Sequence, residues 1–187
     1  MAKTESYYTP VGSIKFPKTK INDKEVGYLY TPKGLEEEDI KSWKFQLVID
    51  PETDEAKDLL AMLDKQHGEI KGSNFVPYKK DMNKNQETGE LEETGLVAIN
   101  FTTSYPITMV DALKNKCNES VGWGSKVKVK FTTKPVNNKG KVGLGRYVRA
   151  MQIIELSEAG QDLSGFGEEQ GHVAEVNDDP NAQPWDE

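Results

Sequence analysis

Hydrophobic and polar residues alternate most regularly over 126–131. Val127, Val129 and Phe131 fall on one face there, and Lys126, Lys128 and Lys130 on the other. A β-strand sends successive side chains to opposite faces, so this run predicts a strand with an apolar inner side and three ammonium groups outside. Asn137-Asn138-Lys139-Gly140 tolerate positive φ and predict the turn of a hairpin, with the return arm over 146–156. The same period predicts strands over 42–49, with Trp43, Phe45, Leu47 and Ile49 in phase, and over 96–102, with Val97, Ile99 and Phe101 in phase. Shorter strands are expected at 26–30, 75–78 and 107–110. The period changes once. Ala56, Leu59, Leu60 and Leu63 recur at three- and four-residue spacing behind Thr53, a capping residue type, and Gly68 closes what reads as one amphipathic helix.

Two stretches carry no such pattern. Residues 1–25 read as polar chain, and 68–95, charged and glycine-bearing, as a long excursion. Several short strands with one helix and no βαβ alternation predict a mainly β domain over 1–156, a mostly antiparallel barrel or sandwich. After Leu156 no period survives. Residues 157–187 are rich in Gly, acids and amides and bury too little apolar surface to offset ordering, so a disordered tail is expected.

Charge sharpens this division. The formal net charge of −7 combines a nearly neutral body with a tail of nine acids and no Lys or Arg. Between Lys114 and Arg149 there are eight Lys and two Arg against a single acid, Glu119. Lysines on a sheet edge discourage aggregation, which accounts for Lys126, Lys128 and Lys130. It accounts less well for Lys134, Lys139, Lys141, Arg146 and Arg149, which continue the charge without intervening acids. Such a cluster suits a phosphate backbone, whose counterions it releases. Single strands also need flat side chains on which bases stack. Trp123, Tyr147, Tyr28, Tyr30 and Trp43 are the candidates, and each ring alone serves a core as readily as a platform. Phase places Trp43 with the core. Trp123 between two glycines, and Tyr147 between Arg146 and Arg149, are better placed as platforms.

Other chemistry finds little support. His67 and His172 are the two histidines, no nucleophile elbow, Walker or zincin motif occurs, and the carboxylates are dispersed. Gly143-Leu144-Gly145-Arg146 lacks the third glycine of a phosphate loop and reads as a strand start or bulge. No enzyme, cofactor or metal site is expected. Cys117 stands alone, which excludes an intramolecular disulfide, and neither an apolar leader nor an 18-residue apolar window is present, so no membrane partner is expected.

The run Gly122-x-Gly-Ser-Lys-Val-Lys-Val-Lys, then Pro135, a short loop, and 143–156 ending Ile153-Ile154-Glu155-Leu156, resembles the T7-type phage single-stranded DNA-binding proteins. The acidic, glycine-containing C-terminus with a nearly terminal aromatic continues the resemblance, although here Trp185 lies two positions inside Glu187. The resemblance implies an OB-fold that coats single-stranded DNA in phage replication, recombination and repair, in the host cell cytoplasm. It also implies a tail, with Asp178, Asp179, Trp185, Asp186 and Glu187, that competes with DNA and contacts the phage polymerase and helicase/primase, and a homodimer. A protein-interaction or structural role carried by the tail, and RNA as the polymer bound, are the alternative readings.

Overall fold

The computed structural model describes residues 5–29, 40–117 and 119–157. Strands β1 (Ser6–Tyr8), β2 (Gly12–Ile21), β3 (Lys24–Val26) and β4 (Ile40–Ile49) precede helix α1 (Asp54–Gly68). Then follow β5 (Lys79–Lys84), β6 (Leu91–Thr103), β7 (Thr108–Val110), β8 (Lys116–Cys117), β9 (Lys126–Asn138) and β10 (Lys141–Glu155). Five of the strands close on themselves: β2 pairs with β4, β4 with β6, β6 with β10, β10 with β9, and β9 again with β2. Most of these pairs are antiparallel. The contact of β6 with β10 is parallel, at Tyr147 opposite Thr102, as is that of β7 with β10. This closed circuit with a single parallel seam is an OB-type barrel.

The barrel fills with the alternating apolar residues. Phe45 and Phe101 stack at 5.4 Å between ring centroids, and Phe101 meets Phe131 edge-on at 5.1 Å. Trp43, Leu47, Ile99, Val127 and Val129 are buried around them. At Gly12, where β2 leaves β9 for β4, a Cβ would lie 2.6 Å from the Val48 carbonyl oxygen, so only glycine lets the two backbones meet. Helix α1 lays Ala56, Leu59, Leu60 and Leu63 on this core. Thr53 caps it by accepting the Ala56 N–H at 3.3 Å, an interaction of a kind worth about 1 kcal/mol. The hairpin turn forms as the sequence predicts, with Lys139 at φ 50° and Gly140 at φ 82°, a two-residue loop matched to strand twist.

Three expectations change. Residues 6–26 hold three strands, although the sequence up to residue 25 reads only as polar chain. In β2 the buried positions are Gly12, Ile14, Pro17 and Thr19, so the inner face carries little that looks apolar, and the large residue of the run, Phe16, points outward. The ladder to β4 is also interrupted between Lys15 and Lys18, which hides the period. Second, residues 68–95 include β5 and the first part of β6. The buried residue of β5 is Asp81, bonded to Lys15 at 2.8 Å and to Thr94 at 2.9 Å; a buried carboxylate stands where an apolar residue would have signalled a strand. Third, 75–78 is loop, and 26–29 contributes only the end of β3 and a bridge from Leu29 to Val121.

Candidate nucleic-acid interface

A groove of about 400 Å³ runs along β4 and β6, the strands that follow β2 around the barrel, with Lys44, Gln46, Asn100 and Thr102 on its outer side and the buried Phe45, Phe101 and Leu144 at its base. Its floor is set by strand register. Lys44 faces Thr102 and Gln46 faces Asn100 across the β4–β6 ladder, while Lys18 lies opposite Lys44 on β2. Its walls are aromatic: Phe16 on β2, Phe75 from the loop after α1, and Tyr147 on β10.

Each ring is held by a local backbone device. Phe16 takes φ 49° at the break in the β2–β4 ladder and is 51% exposed. A non-glycine residue in this region costs about 1–3 kcal/mol, a kind of strain that gathers at functional sites. Phe75 sits directly on Gly143, where a Cβ would come within 2.4 Å of its ring. Its loop is fastened to the hairpin by Asn74, whose side chain donates to the Gly140 carbonyl at 2.6 Å and accepts the Val142 N–H at 2.9 Å. His67 bonds the Phe75 carbonyl at 2.8 Å. Tyr147 lies back over Gly145, where a Cβ would be 2.8 Å from its ring. The two glycines of Gly143-Leu144-Gly145-Arg146 therefore bare the β10 backbone as a floor for two rings. They sit near the start of β10, as expected, without a bulge, and seat aromatics.

Trp123 extends the aromatic wall. Gly124 donates to the Ile14 carbonyl at 2.8 Å, which ties the Trp123 turn to β2 two residues from Phe16. The two rings meet edge-on at 4.5 Å, and Trp123 is also 51% exposed. An exposed aromatic pair at the end of a cationic groove offers faces on which bases can stack.

The predicted cations divide between two regions. Arg146 lies in the groove with Tyr147, donating from Nε to the Asn100 carbonyl at 2.8 Å. Lys134 pairs opposite Gly145, Lys139 is in the turn, and Lys141 borders a cleft with Asn74 and Phe75, so the distal half of the hairpin stands beside the groove. The proximal half faces elsewhere. Lys128 and Lys130 line a separate depression with Tyr8, Lys130 lying 5.7 Å from the Tyr8 ring centroid, and Lys126 donates to Ser13 at 2.7 Å. Arg149 is exposed at the bulge in β10, donating from Nε to Thr132 at 3.2 Å.

Tyr28 is not among the groove-lining residues; its carbonyl accepts the Thr19 hydroxyl at 2.8 Å. Tyr30 and the tail residues Asp178, Asp179, Trp185, Asp186 and Glu187 lie outside the described residues. Sequence reasoning missed Phe16, Phe75, Lys18 and Lys44. The signal for the first was an aromatic flanked by Lys15 and by Pro17-Lys18 in an otherwise polar run; no comparable signal marks Phe75.

No family model matches the chain, and no curated protein sequence matches it significantly. Solved structures do. The single-stranded DNA-binding protein gp2.5 of bacteriophage T7 superposes with a TM-score of 0.59 at 15% identity, over 92% of this chain and 100% of that one. The single-stranded DNA-binding protein of bacteriophage Enc34, solved in complex with single-stranded DNA, superposes with a TM-score of 0.53 at 12% identity, over 83% of this chain and 89% of that one. Its C-terminally truncated form gives 0.55 at 11% identity over 82% and 87%. The barrel described above is thus the fold of these phage single-stranded DNA-binding proteins, the fold that the β9–β10 resemblance implies.

Proposed function

We propose that the chain binds single-stranded DNA along the groove between Phe16 and Phe75, without catalysis and without strong sequence preference. The observation that carries this reading is the set of aromatic rings, Phe16, Tyr147, Phe75 and Trp123, placed among Lys18, Lys44 and Arg146 on the barrel face that OB-folds use for oligonucleotides. Bases stack on the rings, and the cations follow the backbone. Lys134, Lys139, Lys141 and Arg149 add phosphate contacts along the hairpin, and Lys126, Lys128 and Lys130 a cationic flank beyond Trp123. Tyr28 and Tyr30, near the β3 end, are proposed as further stacking positions for a longer strand. A duplex, with its bases already stacked on one another, has no use for such rings.

The finer parts of the reading rest on the resemblance and on charge. They are a role in phage replication, recombination and repair within the host cytoplasm, recruitment of the phage polymerase and helicase/primase through Asp178, Asp179, Trp185, Asp186 and Glu187, and homodimerisation. The tail also competes for the groove, since its nine acids are tethered to the same chain. A side-by-side titration with oligo-dT, oligo-U and duplex DNA at low salt tests the reading. Tight binding to oligo-dT with much weaker binding to duplex is expected; tighter binding to oligo-U would move the assignment to RNA, and equal binding to duplex would remove it.

A further inference from the structure

The phase of β10 places Arg146 with Leu144 and Val148, both core residues, so a guanidinium occupies an inward-facing position and is only 9% exposed. Its Nε is satisfied by Asn100, but Nη1 is buried with no hydrogen-bond partner among the described residues. Burial pushes its pKa down from 12.5 to about 10, which leaves it cationic at neutral pH. Buried charges are ordinarily paired, because an unpaired one loses its hydration without compensation. Arg146 borders two cavities at once, the groove and a second cleft lined by His67, Ser73, Asn74, Tyr78 and Lys79. Phe75 stands between the two, and no carboxylate among the described residues lines either. The described residues therefore supply this cation with no counter-ion from those walls.

We infer that Arg146 is the buried end of a phosphate subsite, taking one phosphodiester of the bound strand where the groove passes Phe75 into the second cleft. This rests on the single-strand reading and adds a specific contact to it. A planar guanidinium with one terminal nitrogen still to be satisfied suits a phosphate oxygen, and Lys79 in the cleft and Lys44 in the groove keep both approaches cationic. The strand bends over Phe75, so that its backbone turns inward at Arg146 while bases lie on the rings to either side.

The test uses the full chain with R146M and R146K, titrated with dT20, dA20 and dC20 over a range of salt, alongside thermal melting without DNA. R146M keeps the volume and removes the unpaired charge. It should melt at the same or a higher temperature, bind all three oligomers about tenfold or more weakly, and show a log affinity–log salt slope shallower by about 0.7. R146K keeps the charge but loses the fork, and should keep the slope while binding less tightly. Unchanged affinity and slope in both variants, with the unaltered protein binding normally, would overturn the subsite alone. A loss confined to one base would assign Arg146 to a base edge, and a fall in melting temperature with an unchanged slope would make it structural. Failure of the unaltered protein to bind any of the three would remove the single-strand reading, and the subsite with it.

Discussion

At the scale of single residues, the groove depends on what is missing from two side chains. Gly143 and Gly145 leave room for the rings of Phe75 and Tyr147, and a Cβ at either position would come within 3.0 Å of ring atoms. Gly143→Ala should therefore displace Phe75 and weaken single-strand binding about as much as Phe75→Ala does. Melting should change little, because Phe75 is only half-buried. Fluorescence titration alongside a melting curve checks both parts. Phe16 gives a complementary case. It is exposed and held at φ 49°, so truncation removes a stacking face without opening the core. Phe16→Gly should weaken binding by about 1–3 kcal/mol, the usual worth of one stacked base. The same change should leave stability unchanged or higher, since glycine adopts this backbone without strain.

At the scale of elements, the strands that were legible are those whose inner face is apolar: β4, the second part of β6, β7, β9 and β10. Helix α1 was legible through its three- and four-residue spacing and Thr53. The two longest illegible strands, β2 and β5, are joined by an ion pair instead. Lys15 reaches Asp81 at 2.8 Å and Asn83 at 2.7 Å, with the carboxylate side chain 5% exposed. Asp81→Ala leaves the Lys15 ammonium without its carboxylate and should cost about 3 kcal/mol or more in chemical denaturation. Lys15→Met in the same chain should recover part of that loss. Half of the groove was hidden for the same reason, because Phe16 and Lys18 belong to β2 and Phe75 to a loop without periodicity. Arg146 and Tyr147 were readable because they continue the charged hairpin.

The loop carrying Phe75 is also anchored by Tyr78, which donates to Asp64 on α1 at 2.8 Å. Burial and the neighbouring Asp64 carboxylate push this phenol from 10.0 up to about 12. Below pH 10 folded and unfolded chains both hold the proton. Between pH 10 and about 12 the unfolded chain releases it first, so this group's contribution to stability falls as pH rises through that window. Tyr78→Phe should remove the dependence: the stability difference between wild type and variant should shrink from pH 9.5 to pH 12. A difference constant across the window would show that the phenol is not held by Asp64.

At the scale of the whole molecule, charge is unevenly divided, and the last described residues place the junction. Ser157 donates its N–H to Ser125 at 3.0 Å and its hydroxyl to the Trp123 carbonyl, so the chain passes into its acidic segment beside the aromatic end of the groove. Deleting 158–187 spares these bonds and removes nine acids. If the segment competes with DNA, single-strand binding should tighten and association quicken, most strongly at low salt where screening is least. Weaker binding after the deletion would make the segment part of the site. Changing Lys126, Lys128 and Lys130 together to Ala should flatten the salt slope by about 0.7 for each phosphate lost, while fluorescence quenching from stacked rings persists. An unchanged slope would confine these lysines to protecting the sheet.

The central claim is that the face of β4 and β6, between Phe16 and Phe75, holds a single strand by its rings. The most direct measurement is the equilibrium affinity of the full chain for dT20 and for a 20-base-pair duplex, compared with that of Phe16→Ala/Phe75→Ala/Tyr147→Ala. The unaltered protein should strongly prefer the single strand. The triple variant, still folded by circular dichroism, should lose about a hundredfold or more for dT20 while its weak duplex binding hardly changes. A folded triple variant that binds dT20 as the unaltered protein does would contradict the account.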